Sequence, residues 1–155
     1  MTQRLSHIDA DGRAQMVDVS AKPAVARMAI ASGRIKLRMS TIDLITEKQN
    51  PKGDVLAVAR VAGIQAAKQT ASLIPLCHTL PLSDVKIDVR FANGFAEVEC
   101  STKTIAQTGV EMEALTGVSV ALLTIYDMCK AVDKEMVISD VRLLEKRKET
   151  VSEVK

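Results

Sequence analysis

With 155 residues, of which 47 % are hydrophobic, the chain is long enough to bury a core as a single domain over 1–155. A formal charge of +2 and an aromatic content of 2 % supply neither the basic surface nor the stacking rings of a nucleic-acid binder. We therefore expect no nucleic-acid partner.

The cysteines and histidines are few and scattered. Cys77, Cys100 and Cys129 are odd in number and lack C-x-x-C spacing, and the N-terminus has no apolar signal region. We therefore expect reduced thiols, a cytoplasmic location and no membrane association. Because His7 and His78 are the only histidines, a metal cage would need distant residues, so we expect no structural metal, and the sequence indicates no cofactor.

The first regular elements are predicted to be strands. A short strand is expected at 15–19, and a longer one within 24–38, where Ile35 and Leu37 alternate with basic side chains. This alternation indicates a strand with one buried face and one wet face. Gly33 is a candidate bulge inside it.

Two helices are predicted next. Ser40 offers a cap for a short helix that stops near Asn50. Asp54 offers a carboxylate to the free amides at the start of a second helix, which should run to about Leu73. Gly63 in mid-helix is unfavourable by ~1 kcal/mol relative to alanine, which predicts a close contact with another element there.

A hairpin follows the second helix. Alternating apolar residues over 84–91 lead into Asn93-Gly94, the preferred pair for a two-residue type I′ turn. That loop length sets the register and places Ile87 opposite Cys100. Cross-strand neighbours share a face, so we expect Cys100 to be buried and to serve packing.

The stretch 108–132 predicts a central helix. Between 114 and 126 its polar side chains are Thr116, Ser119 and Thr124, so the helix is apolar nearly all round. Such a helix is typically buried, and this one is shorter than the ~20 apolar residues of a membrane span.

A last strand is predicted from Met136 to Leu144, with residues 1–14 and 146–155 expected to be mobile. Counted from residue 24, the order is strand, two helices, two strands, helix, strand. This order predicts an α+β fold, the ferredoxin-like sandwich with its split βαβ, here with an added short helix and an N-terminal strand.

Charged side chains lie near both ends of the central helix. At about 100° per residue, Glu113, Asp127 and Lys130 fall close to one line, and Asp127 and Lys130 are one turn apart. Charges on so apolar a helix need partners. The spacing fits either a functional acid–base pair or a plain ion pair at the helix end.

Five blocks, in this order along the chain, carry a resemblance to a known family. They are MVDVSAK at 16–22, KGDVLAVARVAGIQAAK at 52–68, IPLCH at 74–78, TGVEMEALT at 108–116 and TIYDMCKAV at 124–132. The chain resembles the molybdenum-cofactor biosynthesis protein C family, the cyclic pyranopterin monophosphate synthases. It departs from the pattern of that family at Thr79, at Gln107 and in the charged tail at 146–148.

The resemblance implies a lyase that converts 3′,8-cyclo-7,8-dihydroguanosine 5′-triphosphate to cyclic pyranopterin monophosphate and pyrophosphate. It implies that Asp127 transfers protons, that Lys130 is its partner and that Lys52 stabilises phosphate charge. The candidate substrate-binding residues are Leu76, Cys77, His78, Met112, Glu113, Glu111, Arg27 and Lys68. The last two would neutralise phosphate charge.

The resemblance also implies a homo-hexamer, a trimer of dimers, with the active site at a subunit boundary. On this expectation Lys52 and Asp127 are far apart within one chain and close across the boundary. The apolar central helix independently favours an oligomer, because exposed apolar patches usually mark interfaces.

The competing hypothesis is a non-catalytic, ferredoxin-like ligand-binding or assembly module, in which Asp127 and Lys130 form an interface ion pair. An enzyme should bring its charged and polar candidates into one cleft, whereas a module should leave them scattered. The five candidates that decide between the two are Lys52, His78, Glu113, Asp127 and Lys130.

Overall fold

The computed structural model describes residues 7–9 and 11–150, and within them four strands form one sheet. The elements are β1 (Val25–Lys36), α1 (Met39–Thr46), α2 (Val55–Lys68), α3 (Thr70–Leu73), β2 (Leu82–Ala92), β3 (Phe95–Ala106), α4 (Glu111–Cys129) and β4 (Val137–Glu149). Every neighbouring pair is antiparallel, in the order β2-β3-β1-β4. Because β3 lies between β1 and β2, this is the split βαβ arrangement, and the predicted α+β class is confirmed.

The sheet buries one face under the helices. Along β1, Ala31 and Ile35 are fully buried, while Arg34 and Lys36 between and beyond them are exposed. The predicted strand with one wet face is thus confirmed. The pairing of β1 with β4 shifts between Ser32 and Arg34, which confirms a bulge at the intervening glycine.

The β2–β3 hairpin has the predicted turn and register. Asn93 and Gly94 both have positive φ, 50° and 78°, as a type I′ turn requires. Ile87 lies opposite Cys100, and their exposed fractions are 2 % and 0 %. The prediction that Cys100 serves packing is therefore confirmed.

Two glycines allow α2 and α4 to pack closely on the sheet. A Cβ atom at Gly63 would lie 2.9 Å from the Gly117 carbonyl oxygen and 2.9 Å from Ile87 Cδ1. A Cβ atom at Gly117 would lie 2.7 Å from Cys100 Sγ. The close contact predicted from a mid-helix glycine is therefore confirmed at Gly63.

The central helix α4 is embedded in this packing. Its 19 residues are long and apolar enough to cross a membrane by length and composition alone, but half of the stretch is buried inside the fold. The buried positions, including Val118, Leu122 and Ile125, belong to the hydrophobic core under the sheet. The apolar character of α4 is thus explained by its place in the core.

Two predicted features of the first half are wrong. Residues 15–19 form no strand; they are irregular, and the Gln15 amide bonds to the His7 carbonyl at 3.0 Å. Ser40 is not a cap, because α1 begins at Met39 and its cap residue is Arg38. The start of α1 therefore has no side-chain cap hydrogen bond.

Two element ends also differ from the predictions. The helix expected to run to Leu73 is divided at Gln69 into α2 and α3. The last strand continues five residues beyond Leu144 to Glu149, and its charged end pairs with Ala26 of β1. Backbone pairing does not depend on side-chain alternation, so the charged tail gave no sign of it.

The expectation of one domain over 1–155 stays a prediction, because residues 1–6, 10 and 151–155 lie outside the described ranges.

Replacing Gly63 with alanine should lower the free energy of unfolding by at least about 1 kcal/mol, because the added methyl group meets backbone and an isoleucine at once. Urea denaturation followed by circular dichroism measures this change. Gln65→Ala, at an exposed position of the same helix, is the control and should change stability by less than about 0.5 kcal/mol. Equal stability of Gly63→Ala and the wild type would contradict the close helix contact.

Candidate functional site

Three predicted catalytic residues meet at the carboxyl end of α4. Lys130 Nζ lies 2.7 Å from Asp127 Oδ1. Lys52 Nζ lies 3.5 Å from Asp127 Oδ2 and donates to the Asp127 carbonyl oxygen at 2.9 Å. One carboxylate is therefore held between two ammonium groups, and all three side chains remain open to solvent.

The loop between α1 and α2 brings Lys52 to this place. The Gly53 amide bonds to the Asn50 carbonyl at 2.9 Å, which closes a four-residue turn, and Gly53 has φ +96°. The last carbonyls of a helix lack intrahelical donors, and a cation is favoured at that end of the helix dipole. The carboxyl end of α4 is therefore a natural position for the Lys52 ammonium.

The expectation that Lys52 and Asp127 are far apart within one chain is wrong. Their charged atoms are 3.5 Å apart in a single chain. The turn at 50–53 folds back onto the end of α4, a long-range contact over 75 residues of sequence that no local pattern encodes.

The cations set the charge state of the cluster. The hydrogen bond and charge of Lys130, with the charge of Lys52 in addition, lower the pKa of Asp127. The same hydrogen bond and the Asp127 charge raise the pKa of Lys130. At neutral pH the cluster therefore combines a carboxylate with an ammonium group that keeps its proton.

A cavity of about 390 Å³ lies at the other end of α4, within the usual size range of ligand pockets. Its lining includes six predicted substrate-binding residues, namely Leu76, Cys77, His78, Glu111, Met112 and Glu113. The turn after α3 carries the first three, and the first turn of α4 carries the others. Two blocks of sequence that are distant along the chain thus form one pocket.

Burial raises the pKa of one acid and of the thiol in this cavity. Glu113 is 3 % exposed, and its burial raises the pKa of its carboxyl group. Burial also raises the pKa of the Cys77 thiol, and the charge of Glu113 adds to that shift. A thiol that keeps its proton is a poor nucleophile, so Cys77 is suited to contact rather than to covalent chemistry.

His78 holds the segment that covers the cavity. Its Nε2 atom lies 2.9 Å from the Val17 carbonyl oxygen. Because a carbonyl only accepts, Nε2 carries the hydrogen in this contact. Val17 and Val19 line the same cavity, so the segment 15–19, predicted to be a strand, contributes two side chains to its wall instead.

The cluster and the cavity are separate within one chain. Glu113 and Asp127 are 14 residues apart on one helix, which corresponds to about 21 Å along its axis. Glu113 is buried and Asp127 is exposed. The two residues therefore have different solvent exposure, although they lie on the same side of the helix. The five deciding candidates therefore form two separate groups, one at each end of α4.

The two remaining basic candidates do not line the cavity. Arg27 donates from Nε to the Ala106 carbonyl at 3.0 Å and from a terminal nitrogen to the Gln107 carbonyl at 2.8 Å. It therefore braces the loop that leads into α4. Lys68 lies exposed in the last turn of α2.

Two cations that the sequence did not predict, Lys22 and Lys146, lie in the cavity wall. Lys146 lies 3.5 Å from Glu111. The block MVDVSAK offered a signal for Lys22, whereas Lys146 was hidden in a tail expected to fray. Within the described residues, no three His, Cys, Asp or Glu side chains are grouped so that they could hold a metal ion.

A buried aspartate that sequence analysis also missed secures the loop after α4. Asp133 is 1 % exposed and accepts from the Arg38 amide at 2.9 Å and the Thr41 hydroxyl at 3.0 Å. Burial raises the pKa of its carboxyl group, but the hydrogen bonds and the Arg38 charge outweigh that effect and lower it. Asp133 is therefore a fixed anion that ties this loop to α1.

The fold and the two groups of residues define a class: a ferredoxin-like α+β protein with an acid–base cluster at one end of a central helix and a separate polar cavity at the other. The chain belongs to the MoaC family, whose model matches residues 16–149.

The chain is also similar to named relatives. It is 58 % identical over 146 residues to the cyclic pyranopterin monophosphate synthase of Chloroflexus aggregans, which covers 93 % of this chain and 88 % of the relative. It is 56 % identical over 144 residues to the protein of that name from Thermomicrobium roseum, covering 92 % and 87 %. It is 52 % identical over 148 residues to that from Clostridium acetobutylicum, covering 94 % and 92 %.

Glu113→Gln should stabilise the protein at neutral pH. The folded pKa of Glu113 is raised above its ordinary value of 4.5. The contribution of this carboxyl to the free energy of unfolding is therefore complete below pH 4.5 and is lost as the pH rises through the folded pKa. The stability advantage of the glutamine variant should therefore appear on raising the pH and vanish in acid. Urea denaturation across pH tests this, with the exposed Glu47→Gln as the control.

Proposed function

We propose that this chain is a cyclic pyranopterin monophosphate synthase, which converts 3′,8-cyclo-7,8-dihydroguanosine 5′-triphosphate to cyclic pyranopterin monophosphate and pyrophosphate in molybdenum-cofactor biosynthesis. The observation that carries the proposal is the cluster in which Asp127 lies between Lys52 and Lys130. It supplies a proton acceptor and two cations, which the reaction requires together. The relatives are named cyclic pyranopterin monophosphate synthases, which supports the product given in this proposal.

The phosphoryl step needs positive charge. A ribose-derived hydroxyl oxygen forms a bond to the α-phosphorus, the bond from that phosphorus to the bridging oxygen breaks, and pyrophosphate leaves with the electron pair. Lys52 and Lys130 neutralise the charge on the phosphate oxygens and on the leaving group. A lysine cation is a suitable point charge for this purpose.

The proton transfers use Asp127. Its lowered pKa keeps it ionised, so it accepts the proton that the attacking hydroxyl loses. When a phosphate draws Lys130 away, Asp127 loses a stabilising hydrogen bond and becomes a stronger base. Binding of the triphosphate thereby prepares the carboxylate for its role.

The cavity at the amino end of α4 receives the guanine-derived ring. The N–H groups of the ring are hydrogen-bond donors. The buried carboxylate of Glu113 in the cavity wall offers two acceptor oxygens. Donors that bond to the carboxylate favour its ionised form, so ligand binding offsets the burial that raises its pKa. His78 and Cys77 complete the contact surface.

One substrate must contact both groups, and this requires a second chain. Within one chain the cavity and the cluster are about 21 Å apart along α4, so a ligand held by both would have to span that distance. We infer a homo-oligomer, a trimer of dimers, in which the cavity of one chain faces the cluster of another. Exposed apolar side chains on α2 and α4 support an interface, namely Val58, Val61 and Leu123. The three free thiols support a cytoplasmic location.

Lys130→Ala should reduce turnover by at least about 1,000-fold and leave the fold intact, because Lys130 is exposed at the end of a helix held by its apolar body. Pyrophosphate release from the cyclic dihydro-nucleotide measures turnover, and circular dichroism checks the fold. Lys134→Ala, an exposed lysine of the next loop, is the control and should retain activity. Near-normal turnover of Lys130→Ala would remove this residue from the mechanism.

The shared site is tested by mixing inactive variants. His78→Ala and Lys130→Ala alter different groups, so a mixed assembly contains boundaries where both groups are intact, and activity should return. Lys52→Ala and Asp127→Ala alter the same cluster, so their mixture should stay inactive. Subunit exchange is verified by mass spectrometry of differently labelled chains. If exchange occurs and the first mixture stays inactive, the boundary site is wrong.

The competing hypothesis of a non-catalytic module is distinguished by the same assay. A module would bind the nucleotide in the cavity without releasing pyrophosphate, and Lys130→Ala would then affect oligomer assembly instead of turnover. Size-exclusion chromatography of the variants separates these outcomes.

A further inference from the structure

We propose that Asn50 is a positioning residue of the catalytic cluster, which acts by fastening the Lys52 turn to the carboxyl end of α4. The inference rests on the proposed function for its catalytic consequence and on geometry for the positioning itself. Asn50 is 7 % exposed, an unusual place for an amide unless its polar atoms are bonded.

Both ends of the Asn50 amide are used. Oδ1 accepts from the Lys52 backbone amide at 2.8 Å. Nδ2 donates to the Met128 carbonyl at 3.3 Å and lies 3.8 Å from Cys129 Sγ. One side chain thus joins two segments that lie 78 residues apart and that carry the two halves of the cluster.

The Asn50 bridge supplies a hydrogen-bond donor to the carboxyl end of α4. Met128 and Asp127 are among the last residues of α4, whose carbonyls lack intrahelical donors. Asn50 Nδ2 donates to the Met128 carbonyl, and Lys52 Nζ donates to the preceding carbonyl, that of Asp127, at 2.9 Å. The turn therefore caps the helix, and the cap holds the Lys52 ammonium against the Asp127 carboxylate.

Without the bridge, Lys52 has little to fix its position. Its side chain is 45 % exposed, and long exposed lysines keep many rotamers. Its distance to the Asp127 carboxylate, 3.5 Å, is longer than the 2.7 Å of Lys130. The longer of the two ion pairs depends on where the backbone of the turn lies. The Gly53 amide bond closes the turn, and the Asn50 side chain ties it to α4.

The test is a double-mutant cycle of Asn50→Ala and Lys52→Ala, read from the carboxyl titration of Asp127 by NMR, with the kcat of the Asn50→Ala single variant as a second readout. The groups that surround Asp127 are Lys52 and Lys130, so loss of Lys52 should raise the pKa of Asp127. Asn50→Ala should raise it comparably, and the double variant should match Lys52→Ala alone. The kcat of Asn50→Ala should fall about 10- to 100-fold.

Thr41→Val is the matched control. Thr41 is buried, like Asn50, and its hydroxyl donates to Asp133. Among the described residues it makes no hydrogen bond to Lys52, Asp127 or Lys130. It should lower stability but leave the Asp127 titration and kcat unchanged. If Asn50→Ala does not fold, Asn50→Leu of similar volume replaces it in the cycle.

Two results would overturn the proposal. One is an Asp127 titration in the Asn50 variant that matches the wild type. The other is an effect of the Asn50 change that persists in full when Lys52 is absent, which would indicate a structural role alone. The titration needs no turnover, so it judges the positioning even if the wild-type protein releases no pyrophosphate and the proposed function fails.

Discussion

The close approach of α2 and α4 is the constraint on which the rest of the structure depends. At Gly63 and Gly117 the helices leave no room for a Cβ atom, and Cys100 of the sheet closes the third side. This contact fixes α4 over the sheet in both position and rotation. Because the cavity and the charged cluster lie at opposite ends of α4, the same contact fixes both groups.

The ends of α4 have opposite electrical characters. Glu111 and Glu113 lie in the first turn, where the helix dipole favours anions, and Lys52 and Lys130 lie at the last turn, where it favours cations. A single helix thus carries the two groups of candidate residues at its opposite ends, and in the proposed shared site a neighbouring chain would bring them together on one ligand.

Local patterns were enough to predict much of the fold. Asn93-Gly94 determined the turn and hence the register that buries Cys100, because two-residue loops leave one pairing. The catalytic grouping was predictable only in part: Asp127 and Lys130 are one helical turn apart, so spacing brings them together. The contact of Lys52 depends on how a turn meets a helix 75 residues later, and no periodicity reports it. The charged end of β4 was likewise invisible, since its pairing uses backbone alone.

The three free thiols differ in burial and therefore in how readily a reagent can label them. Burial raises the pKa of Cys100 to about 12 and that of Cys129 to about 11, so neither forms a thiolate in the native state at neutral pH. Cys77 lies half-buried in the cavity wall. An alkylating reagent therefore meets Cys77 first, at a rate governed by cavity occupancy, and the other two only when the core opens. Labelling kinetics can thus separate ligand binding from global unfolding without any introduced probe.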